Sequence, residues 1–468
     1  MLHVSTRGEA PTIGFSDALL TGLARDSGLY VPQQWPHLSR ENIASFAGQR
    51  YVDTAKQVLG ALIGDDIAAP DLGRMIENAY SGFRHKAVCP LTQLDDNLFL
   101  LELFHGPTLA FKDVAMQLLG QLMDHVLKTT GQRATIVGAT SGDTGSAAVE
   151  AFKGLDQVDV FILFPHDRVS EVQRRQMTTV DSPNVHALAV DGTFDDCQAL
   201  VKAMFNHAAF RDQVRLSGVN SINWARVAAQ SVYYFTSAVS LGSPHRKVSF
   251  SVPTGNFGDI FAGWAAKKMG LPVDRLMIGT NANDILARTV TTGRYETRGV
   301  VATSSPSMDI QISSNFERLL FDAYERKPEA IRNAMAQLSQ SQTFTIEPAA
   351  LERIRAEFSA HAVNEEAVAS EMKKVWQNTG YVLDPHSAVG VRAARELLQE
   401  KPEVPVIALS TAHPAKFPDA VLQATGKHPS LPPHLADLMG RKEKVTRIAN
   451  DQSAVETFIR GNARAVKP

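Results

Sequence analysis

Cysteine is nearly absent from this chain: 468 residues carry two, Cys89 and Cys197. Two thiols cannot staple a chain of this size or build a thiolate zinc site unaided, so a reducing compartment and no metal are expected. No apolar run approaches the ~18 residues that a bilayer span needs. The opening residues, MLHVSTRGEAPTIGF, show no charged head followed by an apolar core, so no secretory signal is read there. A basic surplus is missing too. Lys plus Arg is 47 against 49 Asp plus Glu, a formal charge of -2, which argues against a general nucleic-acid or anionic-membrane binder. Internal repeats and low-complexity tracts are not found. These absences leave a cytoplasmic globular protein. Its 44% hydrophobic and 21% charged residues are ordinary for that class. At ~150 residues per domain the length suggests about three domains.

What is present is an alternation. Short apolar, β-branched runs at Asn97–Phe104, Ala134–Ala139, Val158–Phe164, Val185–Val190, Val248–Val252, Leu276–Gly279 and Val404–Leu409 suit strands buried on both faces. Helical patterns lie between them at Asp113–Thr129, Gly145–Phe152, Trp224–Val239, Asp259–Met269 and His386–Leu398. This order predicts an α/β fold with parallel sheets. The first ~90 residues lack it and read as a separate N-terminal unit about the size of a small domain. The charged, Ala/Glu-rich stretch Ser339–Glu371 reads as inserted surface helices without a strand. The tail from Lys427 reads as chain wrapping over the surface.

Four loops each follow a strand and open a helix, where α/β folds collect ligands. In His105–Asp113 (HGPTLAFKD), Lys112 sits at a helix start amid Phe104, Leu109 and Phe111. Read alone, such a lysine is more often one that snorkels along apolar surface. The alternative is a desolvated amine of lowered pKa, suited to a Schiff base. The turn Ala139–Ser146 (ATSGDTGS) offers small residues at a helix N-terminus, favourable to an anion and equally to simple capping. Pro253–Asp259 (PTGNFGD) suggests a phosphate cradle of main-chain amides; it is neither a Walker loop nor a dinucleotide fingerprint. Leu409–Phe417 (LSTAHPAKF) places hydroxyls at a strand end, with His413 read as a surface residue. A phosphate cradle, a reactive lysine and a hydroxyl for a ring nitrogen together describe one cofactor, pyridoxal 5'-phosphate.

These loops resemble those of the threonine synthase family, in its longer class, among the fold type II (tryptophan-synthase-β-like) pyridoxal-phosphate enzymes. The matching segments run in family order: Ser5–Pro11 (STRGEAP), Asp26–Pro32 (DSGLYVP), His105–Asp113, Gly138–Ala148 (GATSGDTGSAA), Ser251–Ile260 (SVPTGNFGDI), Ile312–Phe321 (ISSNFERLLF), Asp384–Gly390 (DPHSAVG) and Ser410–Val421 (STAHPAKFPDAV). The resemblance implies two parallel-rich βα domains with the cofactor at their interface, plus a small N-terminal domain. The expected bounds are 1–92 for the N-terminal domain, 93–130 with 220–468 for the large cofactor-binding domain, and 131–219 for a small mobile domain. It implies that Lys112 holds the cofactor and then moves protons, that Gly255, Asn256, Phe257, Gly258 and Asp259 surround its phosphate, and that Thr411 meets its ring nitrogen. Asp143 would lie near the ring hydroxyl. Ser141 and Thr144 would hold the substrate carboxylate. Ser313, Ser314, Asn315, Arg318, Asp384 and His386 would belong to the substrate wall. The implied reaction converts O-phospho-L-homoserine and water to L-threonine and phosphate, in a monomer or weak homodimer. The rival on the same scaffold is a phospho-amino-acid lyase giving 2-oxobutyrate.

Overall fold

The computed structural model describes residues 1–167 and 169–466. Two sheets organise the chain. The larger has the strand order Phe358–Ala362, Val273–Thr280, Val248–Pro253, Val406–Ser410, Leu98–Glu102 and Leu91–Asp95, all parallel except the last pair. Val248–Pro253 is buried at all six positions, which is why its sequence is apolar without alternation. The smaller sheet is wholly parallel, in the order Thr446–Ile448, Val185–Val190, Val158–Pro165, Ala134–Ala139 and Leu216–Ser217. An antiparallel three-stranded sheet of Ile13–Gly14, Leu2–Ser5 and Tyr30–Pro32 belongs to the N-terminal unit, with helices Tyr51–Ile63 and Ala69–Ser81. The expected α/β architecture, parallel-rich in two bodies with a small N-terminal one, is the observed one. Among the described residues no helix is long and apolar enough to cross a membrane.

The unifying element is helix Trp224–Ser240. Its Trp224, Tyr233, Tyr234 and Phe235 are fully buried, and they pack in one cluster with Phe15, Val58 and Phe46 of the N-terminal unit and with Phe250 of the large sheet. Each large side chain so buried contributes about 1.5–3 kcal/mol. That outweighs the few tenths per residue by which aromatic and β-branched residues disfavour a helix.

Two expectations are corrected. The stretch 339–371 contains, besides helices Pro348–Glu357 and Glu365–Thr379, two strands: Thr343–Thr345, which pairs with Arg294–Glu296, and Phe358–Ala362, which pairs with Leu276–Thr280 and forms the edge of the large sheet. One buried, three half-buried and one exposed residue between two charged helices carry too little apolar period to announce a strand. The tail is not a surface wrap: Thr446–Ile448 extends the small sheet, and Val455 and Ile459 of helix Gln452–Asn462 are fully buried against Val137, Phe161 and Leu188.

Candidate active site

Strand ends of both sheets and the N-termini of their helices converge on one cavity of about 230 Å3. Lys112, Thr144, Arg226, the whole of Gly255–Asp259, Ser307, His386 and Thr411 are among its lining residues.

The lysine loop is built by local chemistry. Buried Asp113, in the first turn of helix Lys112–Thr130, accepts from the Thr108 N–H at 2.7 Å and the Thr108 hydroxyl at 2.6 Å. This closes the loop on itself. The loop is zipped to the Thr411 strand end by Phe111 N–H to Thr411 O, 2.8 Å, and His413 N–H to Leu109 O, 3.0 Å. Lysine and hydroxyl therefore arrive as one piece. His413 is half-buried and caps the turn Pro414–Lys416, so it is not the surface residue expected.

The phosphate cradle is held from behind. Ser313 Oγ donates to Gly255 O at 2.7 Å, and Asn315 donates to Asn256 O from its amide side chain at 2.9 Å and its backbone at 3.1 Å. A trans peptide points its N–H opposite to its C=O, so tying these carbonyls back turns the Asn256 and Phe257 amides the other way. The N–H groups of Gly255, Asn256, Phe257 and Gly258 donate to no group among the described residues, and they open helix Gly258–Lys268. Phe257 takes a left-handed φ of 62°, a conformation that costs a non-glycine residue of order 1–3 kcal/mol unless its surroundings impose it. Here its ring is clamped between Phe316 and Phe358. A Cβ on Gly255 would stand 2.9 Å from Ser307 O. The Asp259 side chain faces the central helix, accepting from the Tyr233 and Tyr234 hydroxyls. Burial pushes its pKa up to about 6 despite those donors.

The second turn is also closed by its own residues. Thr140 Oγ1 accepts from Gly142 N–H and Gly145 N–H, both at 2.9 Å. Gly142 has φ 146°, and a Cβ there would collide with the Gln173 amide at 2.3 Å. Asp143 begins helix Asp143–Phe152 fully inside the protein. Its Oδ2 faces Lys112 Nζ at 3.3 Å and Ser307 Oγ at 3.4 Å, while Oδ1 takes Lys416 Nζ at 2.9 Å and Gln173 Nε2 at 2.8 Å. Burial alone would raise its pKa, but Lys416 and then Lys112 hold it well below the ordinary carboxylate range. Burial lowers the pKa of Lys112, partly opposed by Asp143 and helped by Lys416 and Arg226.

The predicted residues thus divide. Lys112, Thr144, Gly255, Asn256, Phe257, Gly258, Asp259, His386 and Thr411 line the cavity, and Asp143 stands one hydrogen bond behind it. Ser141 is half-buried and outside the lining. Ser313, Asn315, Arg318 and Asp384 are not wall residues but supports. Arg318, fully buried, donates to Tyr30 O, Ile222 O and Asn315 Oδ1, so it is neither substrate-facing nor a surface ion pair. Asp384 caps helix Pro385–Glu400 and accepts from His386 Nδ1 at 2.9 Å, leaving His386 Nε2 to accept from Ser307 N–H at 3.2 Å. Ser314 lines a separate, more open cavity beside the N-terminal unit.

Three residues escaped the sequence reading. Arg226 stands in the cavity wall, buried, with its Nε unpartnered among the described residues; burial lowers its pKa to about 10. The signal was a lone charge in the apolar run WARVAAQSVYYF. Lys416 is fully buried between Ala415 and Phe417, the apolar setting that had singled out Lys112. Gln173 left no signal, because its partner is 30 residues away.

These groups fit a pyridoxal phosphate. An amine of lowered pKa would suit an aldehyde, four amides at a helix N-terminus without a partner among the described residues would suit a phosphate, and Thr411 in the lining would offer a hydroxyl to a ring nitrogen. Comparison with known proteins agrees. Family models match residues 2–80 (Threonine synthase N terminus), 87–412 (Pyridoxal-phosphate dependent enzyme) and 387–459 (Threonine synthase, C-terminal). The chain is 50% identical over 469 residues to a threonine synthase of Pseudomonas aeruginosa, covering 100% of both. It is similar to the crystal structure of a PLP-bound threonine synthase from Brucella melitensis, with TM-score 0.97, 59% identity, and 99% and 100% of the two chains covered. It is also similar to a yeast threonine synthase structure, with TM-score 0.94, 41% identity and 98% of each chain covered. With this cavity, these three matched segments and relatives that align from end to end, the chain belongs to the threonine synthase family of pyridoxal-phosphate-dependent enzymes.

Proposed function

We propose that the chain converts O-phospho-L-homoserine and water to L-threonine and phosphate, with pyridoxal 5'-phosphate resident between the two sheets. The observation that carries this reading is the convergence of the Lys112 amine, the partnerless amides of Gly255–Gly258 and Thr411 on one cavity. When bound, the cofactor supplies the electron sink that lets protons leave the α- and β-carbons of an amino acid. Lys112 would hold it through Nζ, and the same amine would take and return protons in turn, as one repositioned amine can. The Gly255–Asp259 turn would hold its phosphate, Thr411 would offer a hydroxyl to its ring nitrogen, and Asp143 would serve its ring hydroxyl while steering Lys112. Ser141 and Thr144, at the N-terminus of helix Asp143–Phe152, hold the substrate carboxylate. Arg226 gives the positive charge a departing phosphate requires. His386 is the substrate-wall residue. Ser313, Asn315, Arg318 and Asp384 serve the site from behind that wall, and Ser314 would reach substrate only from the neighbouring cavity.

We take 1–92, 93–130 with 220–468, and 131–219 as the working bodies, with the tail strand and helix moving with the last of them. Its closure over a docked carboxylate excludes water until the β-carbon is ready for it. Two buried free thiols suit the cytoplasm, and the near-balanced charge suits a monomer or weak homodimer that takes small molecules rather than nucleic acid. Nothing in the site favours early release that would give 2-oxobutyrate. Turnover in oxygen-18 water tests the reading. L-Threonine labelled at its β-hydroxyl with unlabelled phosphate is expected. Predominant 2-oxobutyrate would overturn the synthase reading, and labelled phosphate with homoserine would mean phosphatase chemistry.

A further inference from the structure

We propose that Lys416 is a positioning residue of this site: its ammonium occupies Oδ1 of Asp143, so that Oδ2 meets Lys112 as part of a neutralised pair rather than as a full counter-charge. The proposal rests on the reading of Lys112 as the reactive amine. Lys416 is fully buried, and its ammonium donates to two acceptors and ion-pairs with a third, from three segments. Asp143 Oδ1 lies at 2.9 Å, Gln176 Oε1 of helix Glu171–Thr178 at 3.0 Å, and Thr108 O of the lysine loop at 2.7 Å. Gln176 Nε2 also donates to Thr108 O at 3.0 Å. A neutral donor could tie these segments together. A cation among them has a further consequence, because Asp143 is ionised and its other oxygen is 3.3 Å from Lys112.

An amine that must lose its proton gains nothing from an undivided carboxylate beside it, since an opposite charge within ~4–6 Å raises a lysine's pKa by about 1–3 units. Lys416 divides that carboxylate and adds repulsion of its own. The other charged or titratable groups facing this cluster are Arg226 and Asp259 toward Lys112, His386 toward Asp143, and Asp113 beside Lys416, with Glu150 behind Asp113. None of them holds Asp143 Oδ1. Lys416 therefore sets the balance that keeps Lys112 deprotonatable.

The test compares Lys416→Gln, Asp143→Asn and the double variant as holoenzymes. Two readouts are taken across pH: the acid limb of kcat, and the absorbance of the bound cofactor, which reports the proton on the Lys112 nitrogen. Lys416→Gln should move both midpoints to higher pH by about one to two units, because Lys112 then has Asp143 to itself. Asp143→Asn, leaving Lys416 unbalanced, should move them to lower pH. The double variant should return toward the original midpoints. If Lys416→Gln does not fold, Asp143→Asn and the double variant, which carries no unpaired charge, still give the sign. Midpoints that stay together, or that move the same way in both single variants, overturn the proposal and leave Lys416 a tie between segments. Lys112→Ala separates this from the underlying reading: if that variant keeps turnover, the assignment of Lys112 fails. If it is inactive while the midpoints coincide, only the role of Lys416 fails.

Discussion

Two turns of this protein are built alike and charged differently. Thr140–Asp143 and Thr254–Asp259 each follow a buried parallel strand, each contain a glycine with no room for a side chain, and each open a helix with a buried aspartate. Asp143 meets two ammonium groups and stays ionised. Asp259 meets two phenols, Tyr233 and Tyr234, and its pKa rises to about 6. Burial acts in the same direction on both carboxyls, so the neighbours decide. A strand-to-helix turn supplies amides and a dipole whatever its sequence. The charge at its mouth is set by residues that arrive from elsewhere in the chain, here Lys112 and Lys416 on one side and the central helix on the other.

The largest way to break this contrast is at its reacting end. Lys112→Ala should cut turnover by about 10^3-fold or more, since the acid–base group itself is removed. The melting temperature should change little, because Asp143 keeps Lys416. A steady-state assay beside a thermal melt checks both. Asp143→Asn strands Lys416, and a buried charge that has lost its partner costs about 3–5 kcal/mol; denaturant unfolding should show that loss, with a much smaller one in Asp259→Asn.

A middle-sized effect concerns the cradle. The steric demand falls on Gly255, whose Cβ would stand 2.9 Å from Ser307 O, whereas at Gly258 the nearest atom is Asn315 Nδ2 at 3.3 Å. Gly255→Ala should lose cofactor on dialysis while Gly258→Ala keeps most of it, measured as occupancy.

The smallest effect is one of pH. Asp259 has a higher pKa folded, about 6, than its ordinary value of 3.8. Its protonation therefore stabilises the fold below about pH 4, and that contribution, on the order of 3 kcal/mol, is lost as pH rises through 6. Asp143 runs the other way: held low, its contribution is present above the ordinary carboxylate range and is lost as pH falls through its depressed value. The melting temperature of Asp259→Asn relative to the native chain should therefore improve from pH 5 to pH 8.

Legibility followed the range of each interaction. Lys112, Thr411 and the glycine turns stand at strand ends, where local pattern marked them as candidates together and the family resemblance gave each its role. Strands such as Val158–Pro165 and Val248–Pro253 declared themselves by unbroken apolar runs. The strand Phe358–Ala362 did not, being short and half-exposed at an edge. Arg318 and Asp384 looked substrate-facing because a polar residue in a motif invites that reading. Their burial against backbone groups from Tyr30 to Ser387 appears only in three dimensions. Lys416 and Asp143 are 273 positions apart in sequence and 2.9 Å apart in space; no local pattern joins them.

The contrast between the two aspartates is measured most directly by carbon-13 labelling of aspartate side-chain carboxyls, with the two signals assigned by their loss in Asp143→Asn and Asp259→Asn. Followed from pH 8 to pH 4.5 in the holoenzyme, the Asp259 signal should titrate with a midpoint near 6, and the Asp143 signal should stay at its ionised position throughout. An Asp143 carboxyl that gains its proton within that range would contradict the account, because the two lysines would then not be sharing a permanent charge.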